Sequence, residues 1–148
     1  MQIIALIVST IAMIITGVAL WFTISSFKKQ LQLNFFSDYT KRYQEIILNF
    51  PDSIHDKDFN LNELDEPNRD RTIRYMRAYF DLCSEEYYLK TQGHIDIDTW
   101  QEWETGIKFA LSKPAFQQAW KSLNLDSIYY GSFSNYLSKL LENEKKQL

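Results

Sequence analysis

The sequence predicts an all-α protein, one N-terminal transmembrane helix followed by a compact cytosolic α-helical domain, and three observations carry that expectation. Residues 1–27 contain no charged side chain, and residues 3–22 form an unbroken run of apolar, small or hydroxylic residues. At about 1.5 Å per residue that run spans roughly 30 Å, the thickness of bilayer hydrocarbon. Beyond it, apolar residues recur at intervals of three and four rather than two, the period of a helix face. The chain holds four glycines and three prolines, with no repeat and no Gly-rich linker.

The first element is read as a retained anchor over residues 1–27. A cleavable signal peptide has a basic start, a shorter apolar centre and a small-x-small site, whereas this chain opens Met1-Gln2 and its apolar run ends in Trp21-Phe22. Lys28, Lys29, Lys41 and Arg42 follow the run and nothing basic precedes it. The positive-inside rule therefore puts the N-terminus outside and the C-terminal side in the cytoplasm, in a single pass. The single Cys83 has no partner for an internal disulfide and fits a reducing compartment. Ala5, Ser9, Ala12, Thr16, Ala19 and Thr23 follow one another at steps of four and three, continuing to Ser26. Such a seam of small residues lets membrane helices approach closely, so a homo-oligomer is expected along it.

Residues 28–34 form a juxtamembrane segment, expected to give no more than a brief break before the domain at 35–148. About 110 residues suffice for one hydrophobic core. All 16 Lys and Arg and all 19 Asp and Glu lie beyond the anchor, giving a net charge of -3. A chain so balanced does not attract duplex nucleic acid as a whole, and any anion site must be a local patch.

In order, Phe35, Phe36, Tyr39, Tyr43, Ile46, Ile47 and Phe50 share one helical face up to Pro51. Residues 51–67 read as a loop. Asp56, Asp58, Asn60 and Asn62 imitate alternate positions of a calcium loop, but Leu61 stands where glycine is needed and Pro67 where the closing glutamate belongs, so calcium is rejected. Its acidic residues are expected to cap the next helix, from about Asn68 to Thr91, with Ile73, Met76, Phe80, Cys83 and Tyr87 inward and Gly93 as a left-handed stop. Asp98 with Gln101 has the spacing of a capping box for a helix carrying Trp100, Trp103, Ile107 and Leu111. Pro114 opens a short helix with Phe116, Ala119, Trp120 and Leu123, and a last helix at 132–144 turns Phe133, Tyr136, Leu137, Leu140 and Leu141 inward. Tyr129 and Tyr130 precede it, an aromatic pair able to stack a base but more often part of a core.

Four of the five arginines, Arg69, Arg71, Arg74 and Arg77, crowd the start of the second of these helices. Arg71, Arg74 and Arg77 step by three and share an arc, and a guanidinium fork suits bidentate contact with phosphate. The alternative is helix electrostatics, through Asp70 with Arg74 and Arg77 with Asp81 at i to i+4. Lys90, His94 and the tyrosines are the next cations and rings to consider for an anion. No glycine loop for phosphate, GxSxG, HExxH or CxxC is present, and no nucleophile has a base, so no enzyme, catalytic residue, metal or cofactor is expected.

The runs FFSDYTKRYQEIILNFP, RYMRAYFDLCSEEYYLKTQGHID and WQEWETGIKFALSKPAFQQAW resemble a recurrent family of small uncharacterised bacterial proteins with one N-terminal membrane helix. The layout is further similar to the membrane effectors of type III CRISPR antiviral defence. That resemblance implies a cytosolic helical domain that binds cyclic tetra-adenylate as a tetramer and acts on the membrane. It rests on layout, so no binding residue is carried over from it. The expectation is a non-enzymatic, membrane-anchored effector binding a cyclic oligoadenylate-like second messenger; the alternative is a membrane-tethered scaffold for a protein partner.

Overall fold

Five α-helices are present in the computed structural model, which describes residues 1–123 and 130–145: α1 Gln2–Ile47, α2 Glu66–Thr91, α3 Ile97–Leu111, α4 Pro114–Ser122 and α5 Ser132–Lys145. Two 3-10 turns, Asp52–His55 and Leu61–Glu63, lie between α1 and α2, and no strand occurs among the described residues. The class is all-α, with one long apolar N-terminal helix followed by a helical domain. Contacts divide the chain into two units, Met1–Ser37 and Asp38–Leu148.

In the first unit α1 is continuous, so the brief break expected in residues 28–34 is absent. Lys, Gln and Leu at those positions are good helix formers, and no glycine or proline intervenes between Gly17 and Pro51. Among the described residues α1 is the one helix long and apolar enough to cross a membrane. Four of its hydroxyls are satisfied within the helix: Ser9, Thr10, Thr16 and Thr23 donate to the carbonyls of Ala5, Leu6, Ala12 and Ala19 at 2.8–2.9 Å. Unpaired hydroxyls in hydrocarbon cost several kcal/mol, and this back-bonding removes the cost.

In the second unit α2 is the central element, packed on α3, α4 and α5. Met76, Phe80 and Cys83 are buried as expected, and so are Thr72, Tyr79, Leu82 and Glu86. The buried band is thus wider than one stripe because α2 has neighbours on several sides. Phe116, Ala119, Phe133, Leu137, Trp100, Ile107 and Leu111 complete the core from the other helices. From residues 38–50 only Tyr39, Ile46 and Phe50 are buried; Tyr39 stacks on Trp103 at 5.3 Å and Phe50 meets Phe116 edge-on at 5.7 Å. Tyr43 stays 43% exposed.

Helix ends differ from expectation in two places. α2 starts at Glu66, two residues early, with Pro67 in its first turn where the missing N–H costs nothing. Asp65, at its N-cap, makes no bond to the backbone there and instead accepts from Asn68 Nδ2 at 2.6 Å. α3 is capped by Asp96 rather than Asp98: Asp96 Oδ1 accepts from the Thr99 N–H and Oδ2 from the Thr99 hydroxyl, both at 2.9 Å. Thr99 offers two donors at the right spacing, which outcompetes the single return bond of Gln101. Gly93 takes the left-handed conformation (φ 70°) and ends α2 as predicted. Tyr129 lies outside the described residues.

Candidate anion-binding site

At 100° per residue, the buried side of α2 centres on Met76, Tyr79 and Cys83, and the arginines surround the rest of the helix. Arg71 flanks the core on one side and Arg69 on the other, while Arg74 and Arg77 fall on the outer face between them. Arg71, Arg74 and Arg77 are exposed and Arg69 is half-buried.

The two i to i+4 ion pairs expected for this helix do not form. Among the described residues the ion pairs are Arg42 with Glu85 and Lys108 with Glu104. Asp81 accepts a hydrogen bond from the Tyr130 hydroxyl instead, so its carboxylate is drawn toward the core and away from Arg77. Asp70 and Arg74 stand in water, where holding two long side chains together repays little. Arg71 alone of the three is tethered: its Nη2 donates to Asn49 Oδ1 at 2.6 Å, and Asn49 is itself fixed by donating to the Glu45 carbonyl at 2.8 Å. The Arg71 guanidinium also lies 5.9 Å from the centre of the Tyr75 ring.

Arg71 and Arg74 line one open depression of about 420 Å³ with Tyr75 and Ala78, and among the described residues no carboxylate is in that lining. Arg77 is not part of it. Lys90 and His94 are elsewhere, with Lys90 thirteen residues beyond Arg77 and therefore about 20 Å further along α2. The Lys90 ammonium sits over the rings of Trp100 and Tyr87, at 5.5 and 5.7 Å, and His94 is exposed beyond the helix end. The five cations named from the sequence thus divide into a pair sharing a depression, one neighbour on the open face, and two at the far end.

The seam residues Ala5, Ser9, Ala12, Thr16, Ala19 and Thr23 are all exposed along α1, so the whole stripe is available to a second helix. Because Ser9, Thr16 and Thr23 bond to the seam alanines four residues earlier, the stripe is small and smooth and has no unsatisfied donor. Among the described residues no group of three His, Cys, Asp or Glu is placed to hold a metal. Cys83 is buried at 2% exposure; burial and then the nearby Glu86 push its thiol well above the ordinary range, which makes it inert.

Glu86 is a residue that pattern reading passed over. It is 7% exposed, and burial raises its carboxyl to about 8, against the Arg42 charge, which pulls it down. Glu85 beside it points to Arg42, accepting from Nη1 at 2.6 Å and Nη2 at 3.3 Å, and the Arg42 hydrogen bond holds its carboxyl below the ordinary range. The signal was present in the spacing, since Glu86 follows Cys83 by three and Tyr79 by seven on the core side.

Comparison with protein-family models, with curated proteins and with solved structures finds no match to this chain.

Proposed function

We propose that this protein is a membrane-anchored, non-enzymatic effector whose helical domain receives a phosphate-rich second messenger of the cyclic oligoadenylate class. The observation that supports it is the depression shared by Arg71 and Arg74 beside the Tyr75 ring, with no acidic residue in its lining. Guanidinium groups that lack an acidic partner match phosphate oxygens, and a neighbouring ring offers a face for a base. A cyclic oligonucleotide carries one phosphate per residue, so copies of this arc around a symmetry axis meet a ring of phosphates. The oligomer, a tetramer by the layout resemblance, is held by the α1 seam, with the anchor in the bacterial inner membrane and the domain in the cytoplasm. Ligand binding acts on the membrane through that assembly, in antiviral defence.

The test is calorimetry of the full-length protein in detergent with cyclic tetra-adenylate, beside Arg71→Ala, Arg74→Ala and Arg77→Ala and a Lys139→Ala control. A charge-assisted contact to phosphate is worth about 1.5 kcal/mol or more, so each of the first two changes should weaken binding about tenfold or more. Absence of binding by the intact, helical protein would favour the scaffold reading, which Leu48 (83% exposed) and Ile97 (61% exposed) support as apolar contact points.

A further inference from the structure

A second hollow lies on the other flank of α2, where Arg69 and Ile73 face Gln118 and Lys121 of α4 and Leu61 of the second 3-10 turn. Its volume is about 340 Å³, within the range of small-ligand sites. Arg69 and Lys121 come from different helices and are brought to one cavity only by the packing of α2 on α4. Among the described residues neither forms an ion pair and no Asp or Glu lines the hollow. Lys121 in the last turn of α4 is favoured there by the helix dipole. That accounts for Lys121 but not for a half-buried arginine placed against it, because two like charges over one cavity repel.

The remaining lining completes a recognition surface. Gln118 Oε1 accepts from the Leu61 N–H at 3.1 Å, which fixes the amide and leaves its Nε2 with no acceptor among the described residues. The hollow therefore presents nitrogen donors from Arg69, Gln118 Nε2 and Lys121, with Asn62 and Ser122 at its rim, over an apolar floor of Leu61 and Ile73. Leu61 is 3% exposed and Ile73 half-buried. Donors alone would suit any anion; donors over an apolar floor suit a phosphate ester whose organic part lies on that floor.

We infer that this hollow binds a mononucleotide-sized phosphate ester, with Arg69 and Lys121 on the phosphate and Leu61 and Ile73 beneath the organic group. The site is separate from the Arg71 and Arg74 depression and stands or falls independently of it.

The experiment is titration of full-length protein in detergent with AMP, followed by calorimetry, with adenosine and inorganic phosphate as parallel ligands. Saturable AMP binding is expected, about tenfold or more weaker in Arg69→Ala and in Lys121→Ala and unchanged in Arg74→Ala, with each variant retaining wild-type helicity by circular dichroism. Lys121→Arg should restore most of the affinity, since charge without a fixed fork suffices at that position. No saturable binding by folded protein overturns the site. So does AMP binding that survives both alanine changes, and so does an equal loss in Arg74→Ala. Inorganic phosphate binding as tightly as AMP overturns the assigned class of ligand, and adenosine binding as tightly overturns the role of the two cations.

Discussion

Glu86 is the residue that most separates the pattern of this sequence from its physics. Among Tyr79, Cys83 and the aromatic rings it is buried as an acid, and its carboxyl is raised from an ordinary 4.5 to about 8. A raised carboxyl leaves stability intact below the unfolded value and removes it progressively until pH has climbed through the folded one, because over that span the unfolded chain gains by ionising while the buried carboxyl must keep its proton. Between about pH 4.5 and 8 the penalty grows by at most about 1.4 kcal/mol per pH unit. Glu86→Gln, which keeps the shape and cannot ionise, should therefore match wild type at about pH 4, below the unfolded value, and melt above it at pH 8, the gap widening with pH. Melting curves in detergent across that range check this, and a gap that is constant with pH would show that Glu86 does not titrate there. Tyr136 is a contrasting case. Burial and then its hydrogen bond to Glu104 push its hydroxyl up, while Glu104, against the cost of burial, is held low by Lys108 and by Tyr136 itself.

At the scale of elements, periodicity revealed the helices and little of their ends. The faces of α3, α4 and α5 were legible because their buried residues, such as Phe116 and Ala119 or Phe133 and Leu137, recur at three and four. α2 was not, because a helix surrounded by three others buries residues such as Thr72 and Leu82 beyond any single stripe. The α3 cap turned on which of two aspartates two residues apart finds better donors, a matter of geometry. Asp96→Ala should cost about 1 kcal/mol and Asp98→Ala a few tenths or less, measured by denaturant titration. For α1, replacing Ala12 and Thr16 together by leucine should weaken the proposed oligomer, since bulk prevents close approach, while leucine at Ile11 and Ile15 should do little. Cross-linking in membranes reads both pairs, and equal effects would remove the seam from consideration. The arginine cluster was visible in the sequence, but the absence of its ion pairs was not, since that depends on Tyr130 drawing away Asp81 and on Asn49 holding Arg71.

For the whole molecule, the division into Met1–Ser37 and Asp38–Leu148 places the last turns of α1 with the domain. A fragment of residues 35–148 should be soluble, strongly helical and cooperative on melting, because its helices bury their own apolar faces. A fragment beginning at residue 48 should melt several degrees lower, having lost the Tyr39 stack on Trp103, the Arg42 pair with Glu85 and the buried Ile46. Circular dichroism on both fragments decides; a disordered longer fragment would mean that the domain depends on its anchor. The division was half legible beforehand. Hydropathy and the shared apolar face placed the start of the domain at residue 35, within a few residues of the boundary at Asp38, whereas the continuity of α1 across that boundary was not expected.

The burial of Cys83 gives this chain a natural reporter. It holds one thiol and no other, shielded in the middle of α2 between Tyr79 and Glu86, so a thiol-reactive dye meets no background and labels only molecules whose domain has opened. Where labelling outpaces reclosing, its rate is a direct count of opening events, obtained on unmodified protein. A small molecule that steadies α2 from either flank slows that clock, which turns a search for this protein's ligand into a measurement of time.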